Sequence, residues 1–589
     1  MRLLFVFLFI LVLVPVVVAK EYSMPLLAVK EVNDRFEGSS AYLYLELKEG
    51  KGRVFLDTYP LTKLDTQMST RFAKEVVCSQ NDFNCDNYDF IYTIKSGAVI
   101  VGGPSAGAAI ALITIAALED LKLNQNITIT GTINSGGLIG PVGGLKEKID
   151  AAAGIGIKTV LIPNGERITD SSESDMKNAT NESLENSSKI DLVEYGSKLG
   201  IKIIEVSTID EALFFISGKE MVKTDYSFTI NPRYIETMKK VAEDLCNRSS
   251  ELKKEISIIN LSKEDKDIYE DVLNLSNRSL KAFENGKYYS AASYCFGSNT
   301  KMSYLIQKSI NPNKSEMLRI SVEIKSEIKN FSEGLETKNI STITDLETYM
   351  VVKERLIEAE QSIDNMINSD NLTEKISLLA YSIERLNSAY SWSNFFNTGE
   401  KKFIIDKDEI QKSCVNKIAE AEERLQYLRL LTEMDFSETE KEINLAREDF
   451  ENSDYELCLF KASKAKADSD TILNMIGVEE SNLLNVTEKK LEIIKRNIIK
   501  SQEKGIFPVI GYSYYEYADD LKDKDIYSSI LFAEYSLELS NLDIYFKDSK
   551  RDIFNFNIEK NVAISFILIF ISGLFIGLSI GSRSKKKKR

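Results

Sequence analysis

Ser105 and Lys148 are the residues whose types and spacing could do chemistry. Ser105 lies in GGPSAGAAIAL (102–112) and Lys148 in PVGGLKEKIDAA (141–152). The chain has 589 residues and no histidine, so a serine nucleophile activated by an imidazole is excluded. A lysine amine is the usual substitute base. Gly102, Gly103 and Pro104 read as a tight turn, followed by small residues and an apolar helix running to about Leu118. Ser105 is therefore expected at or near a helix N-terminus, where the backbone N–H groups of Ser105 and Ala106 could hold a developing oxyanion. The same pattern also suits a serine N-cap on a buried, alanine-rich helix.

The lysine segment supplies the second half of the chemistry. Pro141–Gly144 reads as a loop and 145–153 as the first turns of a helix. Lys146 and Lys148 stand two residues apart, so they point in different directions and only one can face a serine. A lysine base must titrate well below its ordinary value of about 10.4, and desolvation has that effect. Leu145, Ile149 and Ala151–Ala153 provide apolar surroundings, although a lysine on such a helix can equally be a solvated charge.

Three stretches, GGPSAG (102–107), ITITG (127–131) and PVGGLKEKIDAAAGIGIKTVLIP (141–163), closely resemble the proteolytic domain of Lon-type peptidases, which use a Ser-Lys dyad. The resemblance implies that Ser105 is the nucleophile and that Lys148, rather than Lys146, is the general base. It further implies that Thr130 helps to hold the lysine. The stretch LTKLDTQMSTRFAKEV (61–76) is similar to the helix that precedes the family's serine, and the likeness extends over roughly 25–218. The pattern departs from the family at Gly102, where an Asp is common, and in lacking the family's upstream histidines. Lon-type domains commonly form hexameric rings, so the resemblance also implies self-association. Energy-dependent members carry a Gly-x-x-x-x-Gly-Lys-Ser/Thr phosphate loop; these 589 residues contain none, and GGLIGPVGG (136–144) lacks the required Lys-Ser/Thr.

The chain's ends suggest a compartment. Residues 1–19 read as a secretory signal with cleavage after Ala19, or as an uncleaved anchor. Residues 562–581 form a 20-residue apolar run, long enough for a transmembrane helix, and are followed by a basic tail at 582–589 that places the C-terminus in the cytoplasm. Within that run Gly573, Gly577 and Gly581 make a small-residue ridge that permits close helix contact. The bulk of the chain is expected outside the cytoplasm. Thirteen Asn-x-Ser/Thr sequons and six cysteines agree with that placement. The formal net charge of −15 argues against a nucleic-acid partner.

Composition divides the remainder near residue 220. The region 20–220 alternates strands (41–47, 53–57, 90–94, 126–131, 159–163, 201–206) with helices (65–77, 105–119, 145–154, 191–199, 209–217), an α/β pattern. A polar stretch with three sequons, 164–188, reads as an exposed insertion. The region 221–556 is poor in Pro and Gly and reads as mostly helical, with tetratricopeptide-like helix pairs. ENGKYYSAASYCFGSN (284–299) resembles ENSDYELCLFKASKAK (451–466), and each follows a cysteine on an earlier helix. That repeat suggests the pairs Cys246–Cys295 and Cys414–Cys458, leaving Cys78 and Cys85 to pair locally. The fold class expected is an α/β Lon-type domain, then a mostly α-helical repeat region, then a C-terminal transmembrane helix. The function expected is a membrane-anchored, extracytoplasmic, ATP-independent serine endopeptidase acting on protein or peptide substrates, with no cofactor and no metal. The competing expectation is a non-catalytic surface scaffold or protein-binding module.

Overall fold

The computed structural model describes residues 21–32, 35–59, 61–80, 83–96, 103–170, 189–219, 229–548 and Gly573. Four strands, β1 (Glu21–Val32), β2 (Arg35–Glu49), β3 (Val54–Tyr59) and β4 (Tyr88–Ser96), form one sheet in the order β1-β2-β4-β3. β1 and β2 pair antiparallel along their whole length, from Glu21 opposite Glu46 to Val32 opposite Arg35. Sequence patterning misses β1 because it contains Pro25, which lacks a ladder donor and is tolerated only on an edge strand. An edge is where the sheet places it.

Helix α1 (Leu64–Gln80) packs against α2 (Gly107–Glu119), and α2 also packs on β1 and β2. Every residue of α2 from Gly107 to Ala117 is buried. Its sequence GAAIALITIAALE is apolar all round, as a helix surrounded by protein must be. Beyond it come β5 (Ile127–Ile129), the short antiparallel pair β6 (Thr132–Ile133) and β7 (Ile139–Gly140), helix α3 (Leu145–Gly154) and β8 (Thr159–Pro163). Strands β9 (Ile168–Asp170) and β10 (Lys189–Asp191) pair antiparallel on either side of 171–188, which lies outside the described residues. Helix α4 (Leu192–Lys198), strand β11 (Lys202–Val206) and helix α5 (Ile209–Ser217) follow; β11, β8 and β5 form a parallel three-stranded sheet.

Twelve helices follow within 229–548 among the described residues, α6 (Pro232–Ile256) to α17 (Ile526–Leu539). Three form a unit: α6, α7 (Lys263–Glu284) and α8 (Tyr288–Ile310), with α8 packing on both others. The series continues with α9 (Lys314–Glu336), α10 (Ile343–Asn368) and α11 (Leu372–Trp392). A second three-helix unit has the same plan: α12 (Lys407–Leu431), α13 (Ser437–Glu451) and α14 (Tyr455–Met475), with α14 packing on both. Disulfides Cys246–Cys295 and Cys414–Cys458 join the first and third helices of these units, and Cys78–Cys85 closes the loop after α1. The repeat is thus a helix triplet and not the expected helix pair, because a full intervening helix fits within each of the 49- and 44-residue spans.

The expected C-terminal transmembrane helix is corrected. Among the described residues no helix is long and apolar enough to cross a membrane. The longest, α10, α6 and α12, have 26, 25 and 25 residues but carry charged side chains throughout, which a bilayer core does not accept. Residues 562–581, Gly573 excepted, lie outside the described residues, as do 1–19 and the tail 582–589.

Candidate active site

The serine sits on a turn held from both sides. Gly103 has φ +101°, a left-handed conformation that favours glycine, and Pro104–Ala106 form a single 3₁₀ turn before α2. Ser105 therefore stands just outside the α-helix, which begins at Gly107. The first turn of α1 ties this segment down. Asp65 Oδ2 accepts the Gly103 N–H at 3.0 Å, the Thr66 hydroxyl donates to the Gly103 carbonyl at 3.2 Å, and the Ser69 hydroxyl donates to the Pro104 carbonyl at 3.3 Å. On the other side, Gly131 N–H donates to the Ser105 carbonyl at 3.0 Å, and Ala108 N–H donates to the Gly131 carbonyl at 3.1 Å. Gly107 is needed for that approach, since a Cβ there would stand 2.9 Å from Ile133 Cγ2 and 3.0 Å from the Ser69 hydroxyl.

Lys148 lies in α3 and is 4% exposed. It lines the same cavity as Ser105, of about 400 Å³, together with Gly103, Thr132, Asn134 and the Pro141–Gly144 loop. Lys146, one of the two lysines that the spacing leaves open, is half-buried and directs its ammonium over the Tyr195 ring, 5.7 Å from the centroid. It is not among the residues lining the cavity. Thr130 is 1% exposed, its N–H donates to the Leu161 carbonyl at 3.1 Å, and its hydroxyl oxygen is buried without a hydrogen-bond partner. Such an oxygen costs stability unless something donates to it.

Ala28 and Val29 of β1 also line the cavity, as do Tyr427, Leu431, Leu473 and Ile476. The last four come from α12 and the end of α14, far away in sequence. Tyr427 packs edge-on against Phe72 of α1, and burial holds its phenol well above the usual tyrosine range. Ser105 and Lys148 thus line one cavity, whereas Ala106 adjoins Ser105 in the chain and Thr130 precedes Gly131, whose N–H bonds the Ser105 carbonyl; the six cysteines form three cross-links and none lines that cavity. Sequence reading singled out the stretch 61–76 without identifying Asp65, Thr66 and Ser69 as its holding residues. It carried no signal at all for Tyr427 or Asn134. Among the described residues no cluster of three acidic or cysteine side chains is arranged to hold a metal ion.

Comparison with known proteins bears on this geometry. Residues 66–194 match the family model of the Lon protease (S16) C-terminal proteolytic domain, a span that includes Ser105, Thr130 and Lys148. The chain is 33% identical over 164 residues to a Lon protease of Neorickettsia sennetsu, covering 26% of this chain and 17% of that protein. It is 36% identical over 126 residues to a Lon protease of Campylobacter concisus, covering 21% and 13%. It is 42% identical over 82 residues to Lon protease 1 of Myxococcus xanthus, covering 14% and 10%. The chain spans less than a fifth of the length of these relatives, and the likeness supports a serine peptidase.

Proposed function

We propose that the chain is an extracytoplasmic serine endopeptidase in which Ser105 is the nucleophile and Lys148 the general base, with no phosphate loop among these 589 residues. One observation carries this reading: the buried Lys148 and the half-buried Ser105 line one cavity, in a chain that has no histidine. The neutral Lys148 amine takes the proton from the Ser105 hydroxyl as its oxygen attacks a peptide carbonyl. The tetrahedral oxyanion rests on backbone N–H groups at Ser105 and Ala106, where the 3₁₀ turn leads into α2. As the C–N bond breaks, the Lys148 ammonium returns the proton to the leaving amine. Water, deprotonated by the same amine, then hydrolyses the acyl-enzyme and restores the Ser105 hydroxyl.

Thr130 supports the cycle by offering its unpartnered buried oxygen to the lysine. The three disulfides favour an oxidising compartment. Three of the thirteen sequon asparagines lie outside the described residues; of the other ten, nine are exposed and Asn485 is half-buried, as glycosylation outside the cytoplasm requires.

The test is phosphonylation of Ser105 by a small fluorophosphonate, with loss of fluoride, and cleavage of a diverse peptide panel by the purified chain. Ser105→Ala should abolish both, and Lys148→Met should lower cleavage by roughly 10³-fold or more, whereas Lys146→Met should leave it within about twofold. Cleavage that survives Lys148→Met but not Lys146→Met would overturn the assignment of the base.

A further inference from the structure

The cavity around Ser105 is lined by two chemically distinct sets of residues. Ser105, Lys148, Thr132 and Asn134 supply polar groups. Leu431, Leu473 and Ile476 supply apolar ones, together with the ring of Tyr427. None of these four carries a charge, and all come from the helical region, well outside the 66–194 match.

We propose that Leu431, Leu473 and Ile476 form the wall that selects the substrate side chain next to the scissile bond, and that this side chain is apolar, with its size set by the wall. The proposal rests on the peptidase reading of Ser105 and adds to it a role for the helical region as part of the substrate site.

The wall is fixed in place by packing. Leu473 is 5% exposed and belongs to the core that also contains Phe72 of α1 and Leu112 of α2. Leu431 is the last residue of α12, and Ile476 follows directly after α14. Both are half-buried, so each has a face left for a ligand. The next residue, Gly477, adopts φ +74° and comes so close to the loop before Lys148 that a Cβ there would lie 3.0 Å from Pro141 Cγ. The end of α14 thus abuts the lysine loop directly.

Chemistry selects the occupant. A carboxylate beside these side chains would find no cation among the described lining residues except Lys148, and pairing with it would hold the amine protonated and silence the base. A substrate ammonium would find no carboxylate among the lining residues. An apolar side chain loses no polar solvation there, and a wall of side chains discriminates among such occupants by roughly tenfold or more per methylene.

The test uses the full chain and peptides that differ only in the residue preceding the cleaved bond: Ala, Leu, Phe, Asp or Lys. Wild type should prefer Ala or Leu over Asp and Lys by more than about 100-fold in kcat/KM. Leu431→Phe and Ile476→Phe, which narrow the cavity, should shift the Ala-to-Leu ratio toward Ala by about tenfold or more. Leu431→Ala and Ile476→Ala, which widen it, should shift the Leu-to-Phe ratio toward Phe. Thermal unfolding within a few degrees of wild type identifies variants that still fold. Ratios unmoved in folded variants would overturn the wall, and so would free acceptance of Asp or Lys by the wild type. Absence of Ser105 phosphonylation by the small fluorophosphonate in the wild type itself would overturn the peptidase reading, and the wall with it.

Discussion

Asp65 Oδ2 accepts the backbone N–H of Gly103 at 3.0 Å, so a carboxylate in the first turn of α1 holds the segment that delivers Ser105. Its other oxygen accepts the Thr66 N–H at 2.6 Å, and Thr66 in turn donates to the Gly103 carbonyl. The left-handed Gly103 thus has both of its backbone polar groups anchored to α1. Asp65→Ala should therefore slow phosphonylation of Ser105 by the fluorophosphonate by roughly 10- to 100-fold, the cost of one charge-assisted hydrogen bond, about 1.5–3 kcal/mol. Asp65→Asn keeps an acceptor oxygen and should retain much of the rate. Equal phosphonylation rates in wild type and Asp65→Ala would show that the turn holds itself.

A second prediction concerns how the helical region is joined to the α/β region. Lys490 and Glu534 form a fully buried ion pair, and both bond to Ser135 in the turn between β6 and β7. Lys490→Met leaves Glu534 buried without its cation and should cost about 3–5 kcal/mol. The double change Lys490→Met with Glu534→Leu should recover most of that loss, because no charge is then left stranded. Denaturant unfolding checks both, and equal losses in the single and double variants would contradict the stranded-charge account.

The pH dependence of stability can be worked out at Glu516. Burial pushes its carboxyl up to about 7, against the opposing hydrogen bonds from the Ser290 N–H at 2.9 Å and the Ser290 hydroxyl at 3.2 Å. A carboxyl whose folded pKa exceeds its unfolded value binds protons more tightly when folded. Its contribution is thus most favourable at low pH and is lost as pH rises from the unfolded value toward about 7. Glu516→Gln keeps the acceptor and removes the charge, so it should raise stability at pH 8 by on the order of 3 kcal/mol and leave it nearly unchanged at pH 4.5. Thermal melts at the two pH values read the difference, and an equal shift at both would refute the assignment.

Reduction should be felt unequally by the three cross-links. Cys246–Cys295 and Cys414–Cys458 span 49 and 44 residues, whereas Cys78–Cys85 spans 7. Loop-closure entropy assigns about 4 kcal/mol to each long loop and about 2 kcal/mol to the short one. Paired Cys→Ser variants compared by denaturant midpoint test that order. A larger loss from opening the short loop would mean that the loop after α1 matters by its packing instead.

Much of the fold was legible in residue patterns, for reasons visible element by element. TVLIP and IKIIEV are β-branched runs bounded by turns, and they are the parallel strands β8 and β11. The apolar run after Ser105 is α2, buried on all sides. By contrast, β1 was hidden by Pro25, and the intervening helices α7 and α13 turned an expected helix pair into a triplet. The match between the cysteine-bearing segments 284–299 and 451–466 anticipated the long-range pairing even so, because equivalent positions in a repeat have equivalent neighbours.

The sequence by itself determined which groups are present to do chemistry. With no histidine, a serine base has to be something else, and motifs around Ser105, Thr130 and Lys148 name the candidates. Those motifs are local, so a linear reading can find them. Only the tertiary structure decided which lysine shares the cavity with the serine. A two-residue step along a helix turns side chains to different faces, and packing buries Lys148 while Lys146 lies over Tyr195. The tertiary structure also brought Leu431, Leu473 and Ile476 to that cavity across some three hundred residues of chain. No periodicity records such a meeting, because it depends on how whole helices stack and not on what lies beside each residue in the chain.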